Sequence, residues 1–255
     1  MKPSVKLSVE DLTKEPYASI LSYPQNNPSE VEKRISELKE LKVKEIEFRG
    51  GELAANIPVI GKGHVGIVVI GYVKKERVAL KIRRLDSSRE NFFHEAKMLE
   101  KANLVEVGPK FVAVSKNFLL TQFIDGNFLA KWLEDNRESE GVYRVIEDIL
   151  EQCWRLDEVG LDHGELTKAS KHLLLDKMGK PFIVDFETAS IRRRAANVTS
   201  VSHHLFFGNH MGAKLIEEML KEKNKDQLIN ALQDYKNLGN RKNFENLVQI
   251  SLSQF

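Results

Sequence analysis

The run Gly61-Lys62-Gly63-His64-Val65-Gly66 sets three glycines in a G-x-G-x-x-G pattern. Glycine has no Cβ, so backbone N–H groups in such a turn approach an anion closely, which suits a phosphate. A dinucleotide-binding turn needs a helix to open at the third glycine, with its N-terminus facing the pyrophosphate. Here Gly66 opens Ile67-Val68-Val69-Ile70, a β-branched run that disfavours helix. The glycines therefore belong to a strand–turn–strand hairpin, which either lies over a nucleotide's phosphates or is an ordinary tight turn. His203-His204, with His210 nearby, has the residue type for a metal, but adjacent histidines point apart on regular structure and no cysteine helps. Arg192-Arg193-Arg194 reads either as a solvated loop or as a dock for an acidic or phosphorylated substrate or for RNA.

Those residues need elements to hold them. Up to about Arg49 the chain carries Pro3, Pro16, Pro24 and Pro28, and Ser29 with Glu32 makes a capping-box pattern for a helix with Val31, Ile35, Leu38 and Leu41 on one face. That stretch, residues 1–49, reads as a helical appendage without its own core. From about Lys44 to Ile82 the pattern is that of strands, with a polar turn at Lys74-Lys75-Glu76. A helix is expected from about Ser88 to Asn103, then strands at Lys110 to Val114 and Asn117 to Phe123. After Asp125-Gly126 the chain turns helical, most clearly over Val142 to Val159 with Gly160 as its stop. Short strands are expected at His172 to Leu175 and Pro181 to Asp185, and amphipathic helices from about Met211. The order predicts an α+β, two-lobed fold: a β-rich lobe over 50–124 and a helical lobe over 125–255, with a ligand cleft.

Composition narrows the setting. The chain has 255 residues with a formal net charge of +2, too mild to make nucleic acid the main partner. A single cysteine, Cys153, excludes an internal disulfide and points to a reducing interior. The opening Met1-Lys2-Pro3 runs into polar sequence and no run approaches the roughly 20 apolar residues of a membrane span, so a soluble, cytoplasmic protein is expected.

Taken together, four motifs resemble those of protein-kinase-like enzymes. Gly61 to Val68 fits G-x-G-x-x-G-x-V, and Val78-Ala79-Leu80-Lys81 resembles the V-A-I-K strand. His163-Gly164-Glu165-Leu166 resembles the catalytic loop in its His-Gly form, and twenty residues past Glu165, Asp185-Phe186-Glu187 resembles the metal-binding D-F-G. The likeness covers about Ile57 to Glu187 and is nearest to small archaeal predicted Ser/Thr kinases, RIO kinases and the kinase subunit of the KEOPS complex. It implies ATP with Mg2+ or Mn2+ as cofactors. Gly61, Lys62, Gly63, His64, Val65, Gly66, Val68 and Ala79 would enclose the nucleotide, and Lys81, oriented by Glu95, would bind the α/β-phosphates. Gln122, Phe123 and Ile124 would form the adenine-contacting hinge, with Thr121 guarding the pocket behind it. Asp185 would hold the metal.

Two positions depart from the family pattern. The expected catalytic aspartate is Glu165, and the expected asparagine five residues later is Ser170. Glutamate still accepts a proton, but its extra methylene moves the carboxylate by about an ångström, a displacement worth about a hundredfold in rate. Glu187 stands where most protein kinases have glycine, and as a carboxylate it suits the second metal contact that Ser170 fills poorly. His163 reads as a histidine that hydrogen-bonds loop backbone. The resemblance thus implies a Ser/Thr protein kinase acting on an unspecified protein. The alternatives are a pseudokinase or nucleotide-gated binding protein, and a small-molecule kinase related to choline and aminoglycoside phosphotransferases.

Overall fold

Aliphatic and β-branched residues crowd the stretch from Gly66 to Arg83, and in a computed structural model this stretch forms the two longest strands. Residues 4–136, 139–220 and 225–252 are described; Met1, Lys2 and Pro3 lie outside them. The chain divides into two units, Met1–Lys97 with Lys110–Phe123, and Met98–Pro109 with Ile124–Phe255. The class is α+β, with antiparallel sheets and several helices. No helix among the described residues is long and apolar enough to cross a membrane.

The first unit is built on β1 (Val5–Ser8), β2 (Val43–Phe48), β3 (Glu52–Ala54), β4 (Ile57–Val59), β5 (Gly61–Lys62), β6 (Gly66–Val73), β7 (Glu76–Arg83), β8 (Phe111–Val114) and β9 (Phe118–Gln122). The main sheet runs β1-β2-β6-β7-β9-β8, with β5 also on β6 and β3–β4 as a separate ribbon. Lys74 and Lys75 turn the β6–β7 hairpin with φ of 49° and 72°, the positive pair that a tight two-residue hairpin needs. Alternate residues Ile67, Val69, Val78, Leu80, Ile82, Phe118 and Leu120 enter one hydrophobic core.

Residues 1–49 are not an appendage to this unit. Two of the sheet's strands, β1 and β2, come from them, and Val9, Leu12, Ile20, Val31, Ile35, Leu38 and Ile46 share its core. Helix α1 (Ala18–Leu21) precedes α2 (Pro28–Glu40), so the β-rich part holds more than the single helix expected of it. Asn27, rather than the Ser29 capping box, caps α2: its Oδ1 accepts the Glu30 N–H (3.2 Å), with Pro28 opening the first turn. Arg34 of α2 is fully buried, and its guanidinium donates to Glu30 (2.9 Å), the Leu21 and Arg83 carbonyls (2.6 Å each) and Asn117 (3.1 Å). Asn117 in turn donates twice to Glu37 (2.8 Å each). A buried cation survives only when so fully paired, and here the pairing fixes α2 to the ends of β7 and β9. Helix α3 (Phe93–Leu104) begins later than the apolar spacing predicts because Asn91 Oδ1 accepts the Phe93 N–H (3.0 Å) and starts the turn there.

The second unit carries a small antiparallel sheet, β10 (Gly126–Phe128), β11 (Leu173–Asp176) and β12 (Pro181–Ile183). Its helices are α4 (Leu129–Asp135), α5 (Ser139–Glu158), α6 (Asn197–Phe207), α7 (Met211–Met219), α8 (Lys225–Leu238) and α9 (Arg241–Leu252). The predicted stripe of α5, Val142 through Leu156, is buried, and Gly160 with φ 65° ends the helix region. Helix α6 carries no strong sequence signal: valine, threonine, serine and histidine are poor helix formers. Tertiary bonds make it instead. The Asp157 carboxylate of α5 accepts from the backbone of Asn197 (2.8 Å) and Val198 (3.1 Å), two first-turn donors, and from Tyr235 of α8 (2.9 Å).

Candidate functional site

In the first unit, strand register gathers the residues that sequence nominated. Val68 faces Lys81 across β6–β7, and Ala79 faces Thr121 across β7–β9. Directly opposed residues project from the same face, so Val68, Ala79, Lys81 and Thr121 share the face opposite the core. All four are half-buried. The Lys81 ammonium lies 2.9 Å from both carboxylate oxygens of Glu95, with the two side chains only 15% and 7% exposed. At that burial an ion pair holds its geometry far better than a solvated one.

The glycine turn beside this pair is a hairpin: Gly61 pairs with Val68, Lys62 with Ile67, and the Gly63 N–H donates to the Gly66 carbonyl (2.8 Å). Its tip is fixed from below. Val65 is buried against Phe92, Ala96 and Leu119, while His64 is exposed. Arg84 donates through its guanidinium to the Gly63 carbonyl (2.8 Å) and through its backbone N–H to the Val65 carbonyl (2.9 Å). A trans peptide points its N–H opposite to its C=O, so these bonds turn the His64 and Gly66 amides away from Arg84. At Gly66 a Cβ would lie 3.0 Å from both the Ile82 carbonyl and Lys81 Cγ, so any side chain there crowds the strand beside Lys81. At Gly61 and Gly63 a Cβ would meet nothing nearer than 3.9 Å and 3.7 Å. Internal packing does not explain those two glycines.

In the second unit, two irregular segments are stitched together. Asp162 and Ser190 exchange backbone hydrogen bonds (2.9 and 2.8 Å), Thr188 Oγ1 donates to the His163 carbonyl (2.9 Å), and Arg193 donates to Asp162 Oδ2 (2.8 Å) and the Thr188 carbonyl (2.7 Å). His163 is fully buried: its N–H donates to Asn197 Oδ1 (2.8 Å) and its Nε2 to the Val184 carbonyl (3.1 Å). Burial, helped by the neighbouring His172, pushes its pKa down to about 4, so the ring is neutral at pH 7. Gly164 has φ 90°, and a Cβ there would come 2.5 Å from the Arg193 guanidinium. The positive φ strains any other residue type, and a Cβ would also push the Arg193 guanidinium aside.

This stitching brings Glu165 and Asp185 together with His172, a residue that carries no signal in the sequence beyond opening a short strand. One ligand atom from each lies within 4.8 Å of the other two. Glu165 Oε2 stands 3.5 Å from His172 Nε2, and His172 Nδ1 is 3.3 Å from the Val184 carbonyl. Asp185 has φ 70°. Lys42, Ala55, Asn56, Lys74, Lys75 and Glu106 also have positive φ, each in a hairpin or helix-end turn. Asp185 follows β12 with no such turn, and a non-glycine residue held there costs about 1–3 kcal/mol, as functional sites often require.

The other nominated residues are placed as follows. Ser170 is exposed on the helical turn Leu166–Lys171, and Glu187 is half-buried two residues beyond Asp185. Gln122 exchanges bonds with Lys110, its N–H to the Lys110 carbonyl (2.8 Å) and its Oε1 from the Lys110 N–H (3.2 Å). Arg77 lies 4.9 Å from the Phe123 ring centre. Ile124 is buried and belongs to the second unit. Of the three arginines, Arg193 holds Asp162 and Arg194 donates to the Lys236 carbonyl, so two of them serve the fold. His203 turns to Phe207 while His204 stacks on His210 at 4.0 Å. Both His210 ring nitrogens are engaged, Nε2 with the His204 carbonyl (2.9 Å) and Nδ1 with the Ala213 N–H (3.3 Å).

No family model matches the chain. Over 99 residues, 39% of the chain, it is 34% identical to the uncharacterized protein MJ1211 of Methanocaldococcus jannaschii, covering 82% of that protein. The chain belongs to the same family as that protein.

Proposed function

We propose that the chain is an ATP-dependent phosphotransferase of protein-kinase-like fold that transfers the γ-phosphoryl group to a serine or threonine hydroxyl of a protein. The observation that carries this reading is the buried Lys81–Glu95 pair on the face it shares with Val68, Ala79 and Thr121, beside a glycine hairpin. The ammonium is held where a phosphate would meet it, and the half-buried apolar side chains suit a base. Amides of the turn, aimed by Arg84, favour anionic oxygens. Gln122, Phe123 and Ile124 would contact the adenine.

The donor set around Asp185 fits a divalent cation, because two carboxylates and an imidazole approach one point from separate segments. Asp185 would hold the ion, which when bound neutralises phosphate charge. Glu165, reaching solvent from its loop, would accept the proton of the acceptor hydroxyl. Incubation with radiolabelled ATP and Mg2+ or Mn2+, alone and with generic protein acceptors, tests the reading. Incorporation that disappears in Lys81→Ala and Asp185→Ala supports it; label that persists in both overturns it.

A second reading is favoured by one feature. Glu165 replaces the family's aspartate and lies beside His172, an arrangement compatible with nucleotide binding alone. ATP would then stabilise the fold, by about 2.7 kcal/mol at a hundred times its dissociation constant, with no transfer to any acceptor.

A further inference from the structure

We infer that Glu165, His172 and Asp185 form a mixed nitrogen–oxygen metal site that prefers Mn2+ and the later first-row divalent cations to Mg2+. The inference rests on the phosphotransferase reading for what the ion does, but not for whether it binds.

The imidazole carries the argument. A carbonyl oxygen only accepts, so the 3.3 Å approach of His172 Nδ1 to the Val184 carbonyl places the ring proton on Nδ1. That leaves the Nε2 lone pair facing Glu165. Metal-bound histidines are commonly fixed this way, with the far N–H on a backbone carbonyl. The same carbonyl also accepts from His163 Nε2 (3.1 Å), so both rings are tied to the residue preceding Asp185. Val184 thereby sets the position of the ligand that follows it in the chain.

The spacing agrees. At 3.5 Å, Glu165 Oε2 and His172 Nε2 are further apart than the usual hydrogen bond of about 2.7–3.2 Å. Two donors each about 2.1 Å from one ion stand about 3.0 Å apart at an octahedral angle and about 3.4 Å apart at a tetrahedral one, so a small closure of the pair seats an ion between them. The third ligand atom, on Asp185, completes a set within 4.8 Å. A carboxylate offers two oxygens, so Glu165 ligates through one and retains the other for an acceptor hydroxyl.

The donor types give the selectivity. Mg2+ takes oxygen ligands almost exclusively, whereas imidazole suits Mn2+, Fe2+ and Zn2+ progressively better. His172 stands two residues beyond Ser170 and supplies the second metal contact in place of that serine.

The test uses the full chain with metal alone. Titration by calorimetry should show one Mn2+ bound at least about tenfold tighter than Mg2+, and pulsed EPR of the Mn2+ complex should show coupling to an imidazole 14N. His172→Ala should remove both the preference and the coupling. Glu165→Gln should weaken Mn2+ but keep the 14N coupling, which covers the case in which His172→Ala does not fold. Equal affinities for the two metals, no 14N coupling in the unmodified chain, or coupling that survives in folded His172→Ala would overturn the inference, leaving Glu165 and His172 as an ion pair only. Nucleotide is absent from these experiments. A positive metal result with no ATP binding therefore sinks the phosphotransferase reading alone, and ATP binding without Mn2+ preference sinks this inference alone.

Discussion

Lys81 takes its place from strand register, whereas Glu165, His172 and Asp185 take theirs from side-chain bonds between loops. In the first unit, β6, β7 and β9 line up Val68, Ala79, Lys81 and Thr121 by backbone pairing. Replacing any one of these four side chains leaves that ladder intact. In the second unit the carboxylates hang on individual bonds: Thr188 to His163, Arg193 to Asp162, His163 to Val184. Losing one of these moves the site itself. The sheet-borne site should therefore tolerate mutation of its surroundings, and the loop-borne site should not.

The largest expected effect comes from the one side chain on which the sheet unit does depend. Arg34→Met leaves the Leu21 and Arg83 carbonyls without their donor and Asn117 Oδ1 with the Arg83 guanidinium alone, at a cost on the order of 3 kcal/mol. Urea unfolding should show this drop. A loss below about 1 kcal/mol would mean that α2 does not brace the sheet as described.

Gly164→Ala and Gly63→Ala make the contrast sharpest. Gly164 has φ 90° and Arg193 lying over it, so alanine should cost about 1–2 kcal/mol from the backbone alone and weaken Mn2+ binding by displacing Glu165. Gly63 has room for a Cβ, so alanine there should leave the unfolding midpoint within about 0.5 kcal/mol and reduce only ATP affinity. Equal stability losses would erase the distinction between the two regions.

Acid should act on the second unit. His163 and His204 are both held down to about 4 by burial, from an ordinary value near 6.5. Between those values the unfolded chain binds protons that the folded chain does not. The stability these rings contribute is full above about pH 6.5 and falls as pH drops towards 4. Asp157, raised by its own burial, has the opposite sign, since its contribution is lost as pH rises; the two large histidine shifts set the direction of the total. The urea midpoint should fall between pH 7 and pH 4.5, and His204→Asn should flatten that fall. A pH-independent midpoint would contradict the buried neutral rings.

The smallest expected effect is at Arg84. Its exposed pair with Asp86 (2.7 Å) contributes at most about 1 kcal/mol, so Arg84→Ala should barely change stability. It should still weaken ATP binding severalfold by releasing the Gly63 carbonyl, which binding of a fluorescent ATP analogue would read.

Legibility in the sequence follows the same division. The hairpin at Gly61–Gly66 and the placement of Lys81 are readable because β-branched runs and turn residues act locally, and pairing does the rest. Helix α2 is capped two residues before the Ser29 capping box because Asn27-Pro28 competes with Ser29 for the same turn. The contribution of residues 1–49 to the sheet is invisible locally, since β1 is short and its partner β2 lies well along the chain. Helix α6 and the role of His172 are not readable at all. The first depends on Asp157 reaching across from α5, and the second on Val184 accepting from two rings, both of them tertiary facts.

The central claim is that Lys81 and its glycine hairpin bind ATP. Titration of the full chain with ATP in Mn2+ tests it, comparing the unmodified protein with Lys81→Ala and with Lys33→Ala on the exposed side of α2 as a surface control, each checked for folding by circular dichroism. Lys81→Ala should weaken binding by at least about tenfold, a loss of about 1.4 kcal/mol or more, and Lys33→Ala should leave it unchanged. ATP affinity equal in the unmodified chain and a folded Lys81→Ala variant, or no binding in the unmodified chain, would contradict it.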